Sequence, residues 1–308
     1  MSDQFDRTLT KIPVLRNLAV LSRKLKVPGT DGLSFYRLFK IYVFGIIKGT
    51  FSTRASSIAF SFFIAIFPFL LFVLNLIPFV TFIDNFQEEL LAFIQELLPP
   101  QTSDFFNEIF LDIANNPRAG LLSFVFILSI FLMSNGVNAI LTSFEFSYHT
   151  NINRTIFRQY IVAMGVAIII AILLLLTVIS TIYLTYLIED FKQLNIFIDE
   201  IYWIRVGRYA ILIGMLYLGL NVLYYFGTRE SRNAKFFSAG ALLTTTLIIL
   251  TTILFSIYIE NFASYNKLYG SIGALLILLF YIWLNSNILL LGFELNASIY
   301  KLKRTHNK

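Results

Sequence analysis

The sequence has 308 residues, 57% of them apolar and only 14% charged, with 33 Phe and 16 Tyr. Soluble domains hold about 45–50% apolar and about 25% charged residues, so a water-soluble fold is excluded. The chain has no Cys and only two His, His149 and His306, which removes disulfides, thiol chemistry and a zinc site. The net charge of +6 takes its meaning from where the basic residues fall.

Residues 1–32 form a basic tail, and 33–300 read as one membrane domain. Within 33–52, Phe35, Leu38, Phe39, Tyr42 and Ile46 share one helical face, which predicts a helix lying at the membrane interface. A bilayer core about 30 Å thick needs about 20 apolar helical residues. Six stretches reach that length: 57–80, 120–141, 159–187, 206–226, 236–259 and 270–293. Between the first two, residues 86–114 carry Leu and Phe at helical spacing, interrupted by Pro99-Pro100 and studded with acids. They predict an amphipathic hairpin outside the membrane. A second basic tail, 301–308, ends the chain. None of the apolar runs alternates as barrel strands do. The predicted fold is therefore all-α: a polytopic helical bundle of six transmembrane helices with interfacial and outer amphipathic helices.

Alternate loops and tails hold nineteen Lys and Arg on one side and three on the other, with Arg205 and Arg208 at the start of the fourth span. The positive-inside rule then places both termini in the cytoplasm. The first thirty residues lack the apolar core of a cleavable signal, so the first span is expected to direct insertion. Basic residues distributed in this way fit contact with membrane lipids and no nucleic-acid surface.

Ionisable groups within spans are functional candidates. Glu294 lies near the predicted cytoplasmic end of the last span, with Asn287 two turns earlier on the same face and Asn296 at the membrane edge. Two readings stand: a polar stripe along a water-accessible path, or a carboxylate paired with a basic residue such as Arg54 to lock helices. Arg54 opens the first span, as a snorkelling anchor or as a captor of Glu294 or an anionic head group. Asn135, Asn138 and Thr142 share a face, as do Thr177, Thr181 and Thr185, and as do Thr245, Thr252 and Ser256. They read either as packing glue or as the lining of one polar cavity. Arg54, Asn135, Asn138, Asn287 and Glu294 are thus the candidates for a substrate path or head-group site. Phosphate-loop, HExxH and GxSxG motifs are missing, so no catalytic residue, metal ligand or cofactor is expected.

Three segments resemble the YihY/virulence factor BrkB family. They are RASSIAFSFFIAIFPFLLFVLNLIPF (54–79), LYYFGTRESRNAKFFSAGALLTTT (223–246) and YNKLYGSIGALLILLFYIWLNSNILLLGFELNAS (265–298). The resemblance runs from about 35 to 300. It rests on Arg54, Ala55, Pro68, Tyr269, Gly270, Gly273, Glu294, Leu295 and Asn296; Gly227 departs from it, since the family commonly has Pro in that link. The family implies six membrane helices with cytoplasmic termini, but no settled activity. An old ribonuclease BN label finds no nuclease constellation here, and other members are associated with virulence and envelope lipid export. The expected function is transport or hand-over of an envelope lipid or other amphiphile in a bacterial inner membrane. The alternative is a scaffold that holds an envelope protein partner through its outer hairpin.

Overall fold

The computed structural model describes residues 50–76, 122–147, 155–193, 200–228, 236–261 and 271–306, with Ser34, Tyr36, Tyr42, Glu88, Leu90 and Ala92 besides. Six long helices hold nearly all of them. These are α1 (Phe51–Leu76), α2 (Leu122–Glu145), α3 (Ile156–Gln193), α4 (Glu200–Gly227), α5 (Ala239–Asn261) and α6 (Ser271–His306). Each coincides with one of the apolar runs.

Five of these, over Ile127–Glu145, Ile156–Ile188, Tyr202–Gly227, Ala239–Ile259 and Leu275–Leu302, are long and apolar enough to cross a bilayer. The shorter apolar stretch Phe51–Ile66 belongs to α1. Large apolar side chains point outward along them, among them Phe60, Ile127, Ile172, Leu250 and Leu254. Helices that are apolar on both their packed and their open faces belong in lipid, where every backbone group must be satisfied within the segment. The polar side chains follow the same rule. Thr177, Thr181, Thr185, Thr245, Thr252 and Ser286 each donate to the carbonyl one turn back.

Every helix packs on its neighbours in sequence, and α6 closes the ring against α1. Short connections favour sequential neighbours. The α5–α6 pair approaches very closely. A Cβ on Gly240 would run into the Gly292 carbonyl oxygen, and a Cβ on Gly292 into the Thr244 hydroxyl, so only glycine permits this backbone approach. Pro68 lies inside α1, where its missing N–H leaves the Ile64 carbonyl without its helical donor.

Some boundaries lie well outside the apolar runs. The first span starts six residues earlier than 57, and α6 continues to His306, so most of the predicted tail 301–308 is the end of a helix. Lys and Arg are good helix formers, and a helix need not stop where the apolar run stops. Of the interfacial stretch 33–52, Tyr36 and Tyr42 are helical ahead of α1, and most of it lies outside the described residues. The outer hairpin 86–114 lies outside them as well, apart from Glu88, Leu90 and Ala92. These three are helical, and Leu90 is fully buried in the apolar core.

Candidate functional site

Helices that run alternately up and down bring the start of α1, the end of α2, the start of α3, the end of α4, the start of α5 and the end of α6 to one end of the bundle. The buried polar groups collect there. Arg54 sits in the first turn of α1 and is 6% exposed; Glu294 on α6 is fully buried. The Arg54 guanidinium donates from Nη1 to Glu294 Oε1 at 3.0 Å. The Ser147 hydroxyl, just past α2, donates to the other carboxylate oxygen at 2.8 Å. One carboxylate therefore ties three elements together. Tyr42 faces the same carboxylate: its hydroxyl is pushed up to about 12, chiefly by burial and further by the negative charge of Glu294.

A second buried carboxylate, Glu145, ends α2 at the same level. Next to it the Gln159 amide and the Thr142 hydroxyl share a hydrogen bond of 2.6 Å that joins α2 to α3. Gln159 nitrogen lies 3.2 Å from Glu145 Oε2 when its amide is turned to satisfy both ends.

On the other flank, α4, α5 and α6 share a polar network. Ser238 caps α5 by accepting from the Ala241 N–H at 3.2 Å. Asn296 accepts from the Gly240 N–H at 2.8 Å and donates to the Ser238 hydroxyl at 3.0 Å. Asn221, fully buried on α4, accepts from the Ser238 N–H at 2.9 Å. The Tyr224 hydroxyl is 2.6 Å from that of Thr244 and donates to the Leu289 carbonyl at 2.8 Å. Below this network Phe144 stacks on Phe293 with ring centres 4.1 Å apart, and Tyr224 leans on both. Gly227 ends α4 against that stack, where a Cβ would fall 2.7 Å from Phe144.

Of the five residues singled out from the sequence, the structure brings Arg54 and Glu294 into contact. The asparagines are elsewhere. Asn135 is exposed on α2 and accepts from the Tyr160 hydroxyl of α3 at 3.0 Å. Asn138 supplies the carbonyl to which Thr142 donates. Asn287 is half-buried and donates to the Trp283 carbonyl one turn back. Helices α1 to α4 instead line a half-open apolar cavity of about 320 Å³, and none of the five lines it. Thr177 alone brings a polar side chain to its wall. Sequence reasoning passed over Ser147, Glu145, Asn221, Tyr224 and Ser238. Of these, Ser238 had a legible signal, a Ser ahead of the small-residue start of an apolar run. Among the described residues no group of three or more His, Asp or Glu is placed to hold a metal ion.

Fold and site together define a multi-pass helical membrane protein with a buried ion pair at one end of its bundle. A family model for Virulence factor BrkB matches residues 46–308, and the chain belongs to that family. It is 26% identical over 260 residues to YfkH of Bacillus subtilis (strain 168), a protein named ribonuclease-like, covering 82% of this chain and 91% of that one. A UPF0761 membrane protein of Psychrobacter sp. (strain PRwf-1) is 22% identical over 279 residues, 89% of this chain but 50% of its own length. A shorter match, 35% identical over 86 residues, joins 28% of the chain to 29% of a UPF0761 membrane protein of Pseudoalteromonas translucida. No solved structure matches the chain.

Proposed function

We propose that the chain is a transport-class protein of a bacterial inner membrane that moves or hands over an envelope lipid or other amphiphile. The buried Arg54–Glu294 pair carries this reading. Charges inside spans cost about 2.5–3.5 kcal/mol each at the helix centre and less towards the ends, and those that are kept mark pathways and head-group sites. Guanidinium offers a planar fork suited to phosphate, and the carboxylate beside it suits an ammonium group. With the positive-inside topology, this end faces the cytoplasm and meets head groups of the inner leaflet. The sequence offers no nucleotide loop, so an energy source would be an ion gradient or a partner protein.

Transbilayer movement of labelled phospholipid in proteoliposomes tests the proposal, with wild type set against Glu294→Gln. Movement by the wild type that falls about tenfold in the folded variant supports it; tenfold corresponds to 1.4 kcal/mol. Equal movement by both removes Glu294 from the site. Absence of movement by the wild type, whatever the head group, ends the transport reading and leaves the scaffold that holds an envelope partner.

A further inference from the structure

We propose that the cavity within α1–α4 is a binding site for a single hydrocarbon chain, the acyl tail of a membrane lipid or fatty acid. Chain binding here deepens the amphiphile reading above and rests on it for the identity of the head group. The lining gives water almost nothing to bond. Its one hydroxyl, on Thr177, already donates to the Leu173 carbonyl at 2.7 Å. A buried water needs two to four polar partners, and apolar cavities without them stay dry.

The size fits one chain. A dry cavity of roughly 150 Å³ takes one benzene, so a cavity of about 320 Å³ has room for roughly a dozen carbons. Its shape is long. The wall runs from Ala167 to Thr177 on α3 and from Leu212 to Leu223 on α4, roughly 15 Å at about 1.5 Å per residue. That is half of the ~30 Å hydrocarbon core, the depth filled by the tails of one leaflet. One turn beyond the lining residues Ile140 and Leu220 come Phe144 and Tyr224, whose rings pack with Phe293. These rings lie on the side of the cavity towards the buried ion pair.

Gly219 lines the cavity, and a Cβ built on it meets no atom within 4 Å. Phenylalanine there would fill the chamber. On the same helix Gly214 is equally unhindered, but it is exposed and takes no part in the lining.

The test is photo-crosslinking of the full chain in phosphatidylethanolamine–phosphatidylglycerol vesicles with two probes, a diazirine-bearing fatty acid and a phosphatidylethanolamine bearing the same diazirine chain. Adducts are mapped by residue. The expected result is labelling of cavity-lining residues that falls about tenfold, equivalent to 1.4 kcal/mol, in Gly219→Phe and is unchanged in Gly214→Phe. Gly219→Leu serves where the larger ring impairs folding. Labelling by the fatty acid alone identifies a free acid as the occupant, and labelling by both identifies any single chain. Adducts confined to outward residues such as Ile169 and Ile172, or cavity labelling untouched by filling, overturn the assignment. Cavity labelling without lipid movement in proteoliposomes defeats the transport reading and keeps the chain site; movement without cavity labelling does the reverse.

Discussion

The Arg54 guanidinium and the Glu294 carboxylate lie 240 positions apart in the chain and 3.0 Å apart in space. They join α1 to α6 and so help to close the ring of six. Both are nearly free of solvent, which makes the pair a poor source of net stability and a severe liability when halved.

Removing one partner takes away the other's counter-charge at 3.0 Å. Arg54→Ala and Glu294→Ala are each expected to destabilise the protein by about 3–5 kcal/mol. The double variant Arg54→Leu/Glu294→Leu should cost far less than the two together. Denaturant unfolding in detergent micelles, run as a double-mutant cycle, reads the coupling directly. Additive losses would show that the two charges act independently.

The α5–α6 approach sets glycines apart by position. Gly292→Ala is expected to lower the unfolding temperature, because the added carbon meets the Thr244 hydroxyl and the Tyr224 hydroxyl at once. Gly214→Ala meets nothing, and should raise stability by about 0.4–1 kcal/mol through reduced freedom of the unfolded chain. Thermal unfolding of the two variants in one detergent compares them, and equal shifts would count against the close packing.

Capping of α5 from another helix can be tested alone. Ser238→Ala should cost about 0.5–2 kcal/mol, the usual loss for an N-cap. Asn296→Leu should cost more, because it also takes the acceptor from the Gly240 N–H and leaves a buried donor unmet. Hydrogen exchange at residues 240–242 would rise in both variants.

Tyr42 gives stability a dependence on alkali. Its hydroxyl is raised from 10.0 to about 12, so between those values the unfolded chain loses a proton that the folded chain keeps. Stability is complete below pH 10 and falls as pH rises towards about 12. The unfolding temperature of wild type should therefore decline more steeply above about pH 10 than that of Tyr42→Phe. Glu294→Gln removes the second cause of the shift and narrows the window. Parallel curves for wild type and Tyr42→Phe would show that the Tyr42 hydroxyl is not buried in the folded protein.

Candidate-site residues differ in how far the sequence reveals them. Glu294 and Arg54 stand out because each is a lone charge at the edge of an apolar run, and the charge count puts both at one end of the bundle. Asn287 and the threonine stripes stand out equally, but helix geometry lets each return its hydrogen bond to its own backbone, as Asn287 does to Trp283. Asn221 does that as well and also reaches Ser238 on α5. Whether a polar side chain reaches across depends on how its helix is rotated, and spacing within one helix does not encode that.

From the sequence alone come the six helices, their order and their lipid-facing character, because twenty apolar residues in a row have one stable backbone form in hydrocarbon. The sequence also limits the charges inside spans to very few. Tertiary packing decided that Arg54 meets Glu294, that Gly240 meets Gly292, and that the chamber within α1–α4 is apolar instead of lined by the asparagines. Each of these depends on the rotation and depth of one helix against another. Those are fixed by many weak contacts between residues distant in the chain.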